Sequence, residues 1–177
     1  MQGGVYFFNI PTDATAKELL LLNKLARKTP EGGAIVEIGS YLGASSLVMS
    51  RANKKATLYC IDTWNNDAMS EGHWDTMQAF SHNTRGCKNI VPVRMWSYEA
   101  ADQVPDNIDM LFVDGDHSYD GVKKDIDLYF PKLKSGGVVA MHDIGWADGV
   151  NRVIKEDIMP HISECGELPN LFWGRKK

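Results

Sequence analysis

Val36-Glu37-Ile38-Gly39-Ser40-Tyr41-Leu42-Gly43-Ala44-Ser45-Ser46 joins an apolar run to two glycines and a string of small residues. Ala34-Ile35-Val36-Glu37-Ile38 is short, apolar and rich in β-branched side chains, so it reads as a buried strand. Gly39 to Gly43 reads as a turn, and a helix begins near Ala44-Ser45-Ser46. Glycine in such a turn lets a ligand approach the backbone, and the free amides at the helix start favour an anion such as a carboxylate. The spacing Gly39-Ser-Tyr-Leu-Gly43 lacks the close second glycine of G-x-G-x-x-G, so a pyrophosphate fits it poorly. No Gly-Lys-Ser/Thr follows, which excludes a P-loop.

Outward from this turn, strands and helices alternate. Upstream, Thr12-Asp13-Ala14-Thr15 offers N-caps, and Leu19, Leu20, Leu22, Leu25 and Ala26 recur at helical spacing before Pro30-Glu31-Gly32-Gly33. Downstream, the pattern predicts strands over residues 57–61, 90–95, 109–113 and 137–141, and helices over 71–84, 99–103, 121–133 and 149–159. Residues 161–175 hold two short candidate strands around 166–170, a terminal hairpin. The fold class is therefore α/β: a doubly wound, mostly parallel sheet with helices on both faces. No repeat, low-complexity tract or linker breaks residues 1–177, which read as one domain.

Composition narrows the function. A chain of 177 residues, 44% hydrophobic, is long enough for one layered core. A net charge of -4 and a pI near 5.7 argue against gripping nucleic-acid phosphates, and Arg175-Lys176-Lys177 is too short to change that. Cys60, Cys87 and Cys165 form no CxxC pair and leave an odd thiol, so neither a zinc knuckle nor a disulfide framework is expected. Residues 1–10 lack a secretory pattern, and no apolar stretch approaches membrane-spanning length. A cytoplasmic protein without a membrane partner is expected.

In an open parallel sheet, ligands bind beyond the carboxyl ends of the strands, where strand order reverses. The acidic residues of this chain collect at those ends. Asp62 closes the second strand roughly twenty residues after Gly39, where a carboxylate accepts two hydrogen bonds from a ribose diol. Asp114-Gly115-Asp116-His117-Ser118-Tyr119 follows the apolar Met110-Leu111-Phe112-Val113 at once, and His142-Asp143 follows the next strand. Such carboxylates and imidazoles, brought together, bind a divalent cation or accept a proton.

The runs Val36 to Ser46, Ile61-Asp62-Thr63-Trp64, Val113 to Tyr119 and Met141-His142-Asp143 together resemble the class I S-adenosylmethionine-dependent methyltransferases. They most resemble the branch of macrocin O-methyltransferase-like and cephalosporin-hydroxylase-like proteins. The resemblance implies a seven-stranded Rossmann-like sheet whose last strand pair is antiparallel. It places Glu37, Gly39, Ser40 and Gly43 around the methionine part of the cofactor, Asp62 at the ribose, Trp64 and Ser97 on the adenine side, and Asp114 at the reacting end. Tyr41, Ser45 and Thr63 lie within the same matched runs and join the cofactor set. In metal-dependent relatives, Asp114 and the pair at 142 and 143 hold magnesium. Here that pair is His142-Asp143, and histidine admits manganese, iron or no metal as well.

The implied reaction is O-methylation of a small-molecule or sugar hydroxyl. Asp114 and Asp143 orient the hydroxyl, and His117 or His142 accepts its proton. The aromatic segment 65–84, with Trp64, His73, Trp74 and Phe80 in or beside it, is the expected lid, unless a second subunit completes the pocket. Two alternatives stand beside this reading: an NAD-dependent oxidoreductase, which the missing glycine disfavours, and a catalytically silent cofactor-binding protein.

Overall fold

The computed structural model describes residues 5–7, 9–66 and 72–177. A hairpin of β1 (Val5–Phe7) and β2 (Ile10–Thr12) precedes helix α1 (Ala16–Ala26). Thr15 caps α1 reciprocally: its hydroxyl accepts the Glu18 amide, and the Glu18 carboxylate accepts the Thr15 amide. Then follow β3 (Ala34–Ile38), α2 (Ala44–Ala52), β4 (Thr57–Asp62), α3 (Met77–Thr84), β5 (Ile90–Arg94) and the short α4 (Ser97–Ala100). The chain continues through β6 (Ile108–Val113), α5 (Tyr119–Tyr129), β7 (Leu133–His142), α6 (Asp148–Val153), β8 (Ile162–Leu168) and β9 (Leu171–Lys176).

Seven strands form one sheet in the order β5-β4-β3-β6-β7-β9-β8. The first five pair in parallel, and β9 pairs antiparallel with both β7 and β8. This is the seven-stranded Rossmann-like sheet that the resemblance implies, with the terminal hairpin read from residues 161–175. From β3 the chain steps through β4 to the edge at β5, then returns to β6 on the other side of β3. The carboxyl ends of β3 and β6 therefore flank the switch point where a crevice opens.

Helices cover both faces, and the strands show why. Along β6, Met110 and Phe112 pack with Leu19, Leu22 and Met49 under α1 and α2, while Leu111 and Val113 pack with Val122, Ile126 and Val150 under α5 and α6. Buried on both sides, the strand is apolar at every one of these positions rather than at alternate ones. Among the described residues no helix is long and apolar enough to cross a membrane.

Several boundaries differ from the sequence reading. The helix expected over 121–133 stops at Tyr129, because Pro131 cannot continue it and disfavours helical geometry just before itself. Leu133 instead opens β7, pairing with Ile108 across a bulge, so the strand starts earlier than the expected 137. The helix expected over 149–159 passes from α6 into a π-helical turn at Ile154–Ile158. Of the helix expected over 71–84, α3 covers Met77–Thr84, and Glu71 lies outside the described residues. The terminal strands are longer than foreseen, and the β1–β2 hairpin was not expected.

Candidate active site

The turn after β3 is where two strand ends meet. Gly39 has φ +85°, and a Cβ there would lie 2.1 Å from the carbonyl oxygen of Asp114. The contact is fixed by the Gly39 amide donating to Ile61 O at 2.9 Å and the Asp114 amide donating to Ile38 O at 2.8 Å. Asp62 holds the turn from the side: Oδ2 accepts the Ser40 and Tyr41 amides, both at 2.8 Å, and Oδ1 accepts the Trp64 amide at 2.6 Å. A carboxylate has about four lone-pair sites. Three are engaged here by backbone amides.

Glu37 holds the same turn from behind. It is fully buried, and its oxygens accept the hydroxyls of Ser40 (2.8 Å), Ser45 (2.5 Å) and Ser46 together with the Cys60 thiol (3.3 Å). Burial pushes its carboxyl up, and the serine hydroxyls oppose that shift. Gly39, Ser40, Tyr41, Gly43, Ser45, Asp62, Thr63 and Ser97 all line the crevice, whereas Glu37 stands behind it as a support.

Trp64 departs from its expected place at the adenine. It is fully buried, tilts against Phe80 at 4.7 Å between ring centroids, and donates its indole N–H to Tyr41 O at 3.0 Å. Both Tyr41 (φ +44°) and Trp64 (φ +52°) hold left-handed backbone, so this bond ties together two strained turns. Trp64→Phe keeps most of the packing but removes the hydrogen bond to the Tyr41 carbonyl. Loss of about 1–3 kcal/mol in urea unfolding is expected, and an unchanged midpoint would show that the bond does nothing. Of the expected lid, Asn66 and Thr76 line the crevice, while Phe80 is in the core. His73 and Trp74 line a separate recess with Asn65 and Asp75, and residues 67–71 lie outside the described residues.

The reacting end gathers over β6 and β7. His142 is buried, with Nδ1 3.2 Å from Asp114 Oδ1 and 3.2 Å from Asp143 Oδ1, and Nε2 3.4 Å from Glu18 Oε2. Burial opposes a charge on this ring, but Asp114 and Asp143 outweigh it and push the imidazole well above its ordinary value. Burial likewise pushes Asp114 up, against the pull of His142. Both nitrogens of His142 thus face carboxylates, Asp114 and Asp143 at Nδ1 and Glu18 at Nε2.

His117 takes the open position. Its Nε2 lies 2.8 Å from Asp143 Oδ2, and its ring leans on Trp146 at 4.8 Å between centroids. The bond to Asp143 pushes the His117 imidazole up, with burial opposing. Asp143 has φ +66° and also accepts from Trp146 Nε1 at 2.8 Å and Asn170 Nδ2 at 3.1 Å. Burial would raise its carboxyl, but His117 and His142 hold it well below the ordinary carboxylate range. Asp114, His117 and Asp143 each offer a donor atom, all within 4.8 Å of one another. His117 thus joins the expected Asp114 and Asp143, which also stand 3.2 Å from His142 Nδ1.

Sequence reasoning passed over Glu18, Trp146 and Asn170. The capping-box spacing Thr15 to Glu18 marks a helix start, and nothing local to it tells that the carboxylate also meets position 142. Trp146 stands three residues after Asp143, and that proximity was the one available signal.

A family profile described as a methyltransferase domain matches residues 36–144, which contain the Gly39 turn, Asp62, Asp114 and His142-Asp143. Protein R132 of Acanthamoeba polyphaga mimivirus is 33% identical over 113 residues, covering 61% of this chain; the chain spans half the length of that relative. The fold superposes on the O-methyltransferase NovP with a TM-score of 0.71 at 17% identity, covering 94% of this chain and 84% of NovP. It matches SMU.1697c of Streptococcus mutans, solved in complex with S-adenosylhomocysteine, with a TM-score of 0.69 at 13% identity, covering 94% and 100% of the two chains.

Proposed function

The chain belongs to the methyltransferase-domain family, and from that premise we propose that it transfers the methyl group of S-adenosylmethionine to a hydroxyl of a small-molecule or sugar acceptor. Residues 1–177 act as one domain in this reading. The observation that carries it is the His117–Asp143 pair beside Asp114, at one end of the crevice that the Asp62-braced turn opens. The crevice encloses about 1190 Å³, room for a nucleoside-bearing cofactor and an acceptor together.

The chemistry asked of the protein is modest. The acceptor oxygen attacks the sulfonium methyl carbon, the carbon–sulfur bond breaks to leave S-adenosylhomocysteine, and the hydroxyl proton must go to a base. Asp143 accepts from His117 Nε2, so Nδ1 is the nitrogen left to take that proton. The His142 imidazolium balances Asp114 and Asp143, keeping two carboxylates tolerable beside a cationic cofactor.

A second reading is favoured by the converging donors. Two carboxylates and an imidazole suit manganese better than magnesium, and Asp114, His117 and Asp143 would hold the ion. Such an ion lowers the pKa of a bound hydroxyl.

Calorimetric titration with S-adenosylhomocysteine, with NAD as the control, tests the cofactor assignment. The wild type is expected to bind S-adenosylhomocysteine and not NAD. Asp62→Ala frees three amides and unbraces the turn, so affinity should fall by at least about tenfold. Absence of binding to the wild type, or a preference for NAD, overturns the reading. Repeating the titration with manganese and with magnesium decides the second reading.

A further inference from the structure

One aromatic ring at the reacting end has no part in the function proposed above. Trp146, in the loop between β7 and α6, lines the crevice and is 62% exposed. Its Nε1 donates to Asp143 Oδ1 at 2.8 Å, and its ring tilts against the His117 imidazole with 4.8 Å between centroids. The loop that carries it is tied down along its length. The Ala147 amide donates to Asp143 O at 2.9 Å, the Gly145 amide to Asn170 Oδ1 at 2.9 Å, and Asn151 Nδ2 to Ile144 O at 2.7 Å. An exposed ring fixed at its edge loses little freedom when something covers its face.

Other exposed rings of the crevice are placed differently. Trp96 and Tyr98 stack on each other at the β5 end, 6.0 Å between centroids, on the far side of the glycine turn from His117. Trp146 stands among polar neighbours, since Asp116, Ser118 and Asp120 line the crevice from the segment that carries His117. A broad apolar face in such surroundings gains most from a partner that is itself flat and preformed. A ring stacked on it buries area without freezing rotors, whereas an open chain has to be ordered to do the same. The hydroxyls of such a ring then lie within reach of the imidazole that the same indole supports.

We propose that Trp146 is the acceptor platform: its exposed indole carries a hydroxyl-bearing ring, aromatic or pyranose, and sets the hydroxyl beside His117. The proposal rests on the methyl-transfer reading and narrows its acceptor from any hydroxyl to one borne on a ring.

The test follows the indole N–H signals of the isotope-labelled protein by NMR. The chain has five tryptophans, and the signal missing from Trp146→Phe is that of Trp146. In the presence of S-adenosylhomocysteine the wild type is titrated with catechol, with methyl glucopyranoside and with the open-chain ethylene glycol. A ring probe is expected to shift the Trp146 signal saturably, while ethylene glycol leaves it unmoved. Catechol acting alone assigns an aromatic acceptor, the glucopyranoside acting alone a sugar, and both together a platform open to either. Trp146→Leu should weaken binding of the same ring, followed on the probe's own resonances, by at least about tenfold, the range for losing one aromatic face. Neither ring shifting the signal, ethylene glycol shifting it as much, or undiminished ring binding by Trp146→Leu overturns the proposal and leaves the cofactor assignment standing. Ring binding at Trp146 in a protein that does not bind S-adenosylhomocysteine overturns the methyl-transfer reading and the acceptor role with it, leaving a ring-binding surface. Should the leucine variant not fold, the wild-type shifts alone decide.

Discussion

Asp143→Asn is expected to lower turnover by about a hundred- to ten-thousandfold, the range lost with a general base, while S-adenosylhomocysteine binds nearly as in the wild type. The separation follows from the layout. Asp143 lies over β7 with His117, whereas the ribose and base positions lie over β4 and β5. Asparagine cannot balance the His142 imidazolium, and its amide can offer His117 Nε2 a donor where an acceptor is needed. The imidazole then loses the bond that fixes its tautomer. Single-turnover rates and calorimetry on the same preparation check both halves, and full activity in the variant would remove Asp143 from the mechanism.

The same pair sets a pH dependence whose sign differs between stability and rate. His117 is raised above 6.5, so the stabilisation from its ion pair with Asp143 is complete below pH 6.5 and disappears as pH rises through the raised value. Asp143 is depressed below 3.8, so its contribution holds above pH 3.8 and is lost only as pH falls toward the depressed value. Turnover runs against the His117 stability trend, because a protonated imidazole accepts nothing. The rate should climb with pH across the window beginning at 6.5, and a rate falling there would assign the proton to another group.

Gly39→Ala has the largest expected effect on the fold itself. Its Cβ would meet Asp114 O at 2.1 Å and the Asp114 carbonyl carbon at 2.5 Å, and both are backbone atoms that move only if β3 and β6 separate. The strain of an alanine at φ +85° adds about 1 kcal/mol. A loss of about 4 kcal/mol or more in urea unfolding is expected, with no detectable S-adenosylhomocysteine binding in whatever fraction stays folded. Gly32→Ala is the control, since it carries a similar φ of +72° with nothing within 4 Å. Its loss should stay near about 1 kcal/mol. Equal losses at the two sites would mean that the strand contact at Gly39 is unimportant.

How far the sequence revealed this arrangement depended on whether a residue's partner is near it in the chain. The uninterrupted Met110-Leu111-Phe112-Val113 run belongs to a strand buried on both faces, so strand, sheet type and the exposed end at Asp114 were all legible. Asp62 was legible as a strand-end carboxylate, but its hydrogen bonds to Ser40 and Tyr41 cross two strands and were not. Local chemistry would have ended α5 early, since Pro131 was in plain view; the helical periodicity outweighed it. The surroundings of His142 were beyond local reading, because its Nε2 meets Glu18, 124 positions away in the chain. Trp64 illustrates the same limit, because an aromatic residue after a strand-end aspartate reads equally as a ligand contact and as core.

The Glu18–His142 contact also orders the molecule in time. During synthesis the first helix leaves the ribosome with its cap carboxylate in place, and the imidazole that it meets follows about ten seconds later at ordinary elongation rates of about 5–20 residues per second. Until β7 docks, the Glu18 carboxylate has its bond from the Thr15 amide but not its contact with His142. The reacting end is complete only once β7 has docked, because His142 is the last residue of that strand and Asp143 follows it.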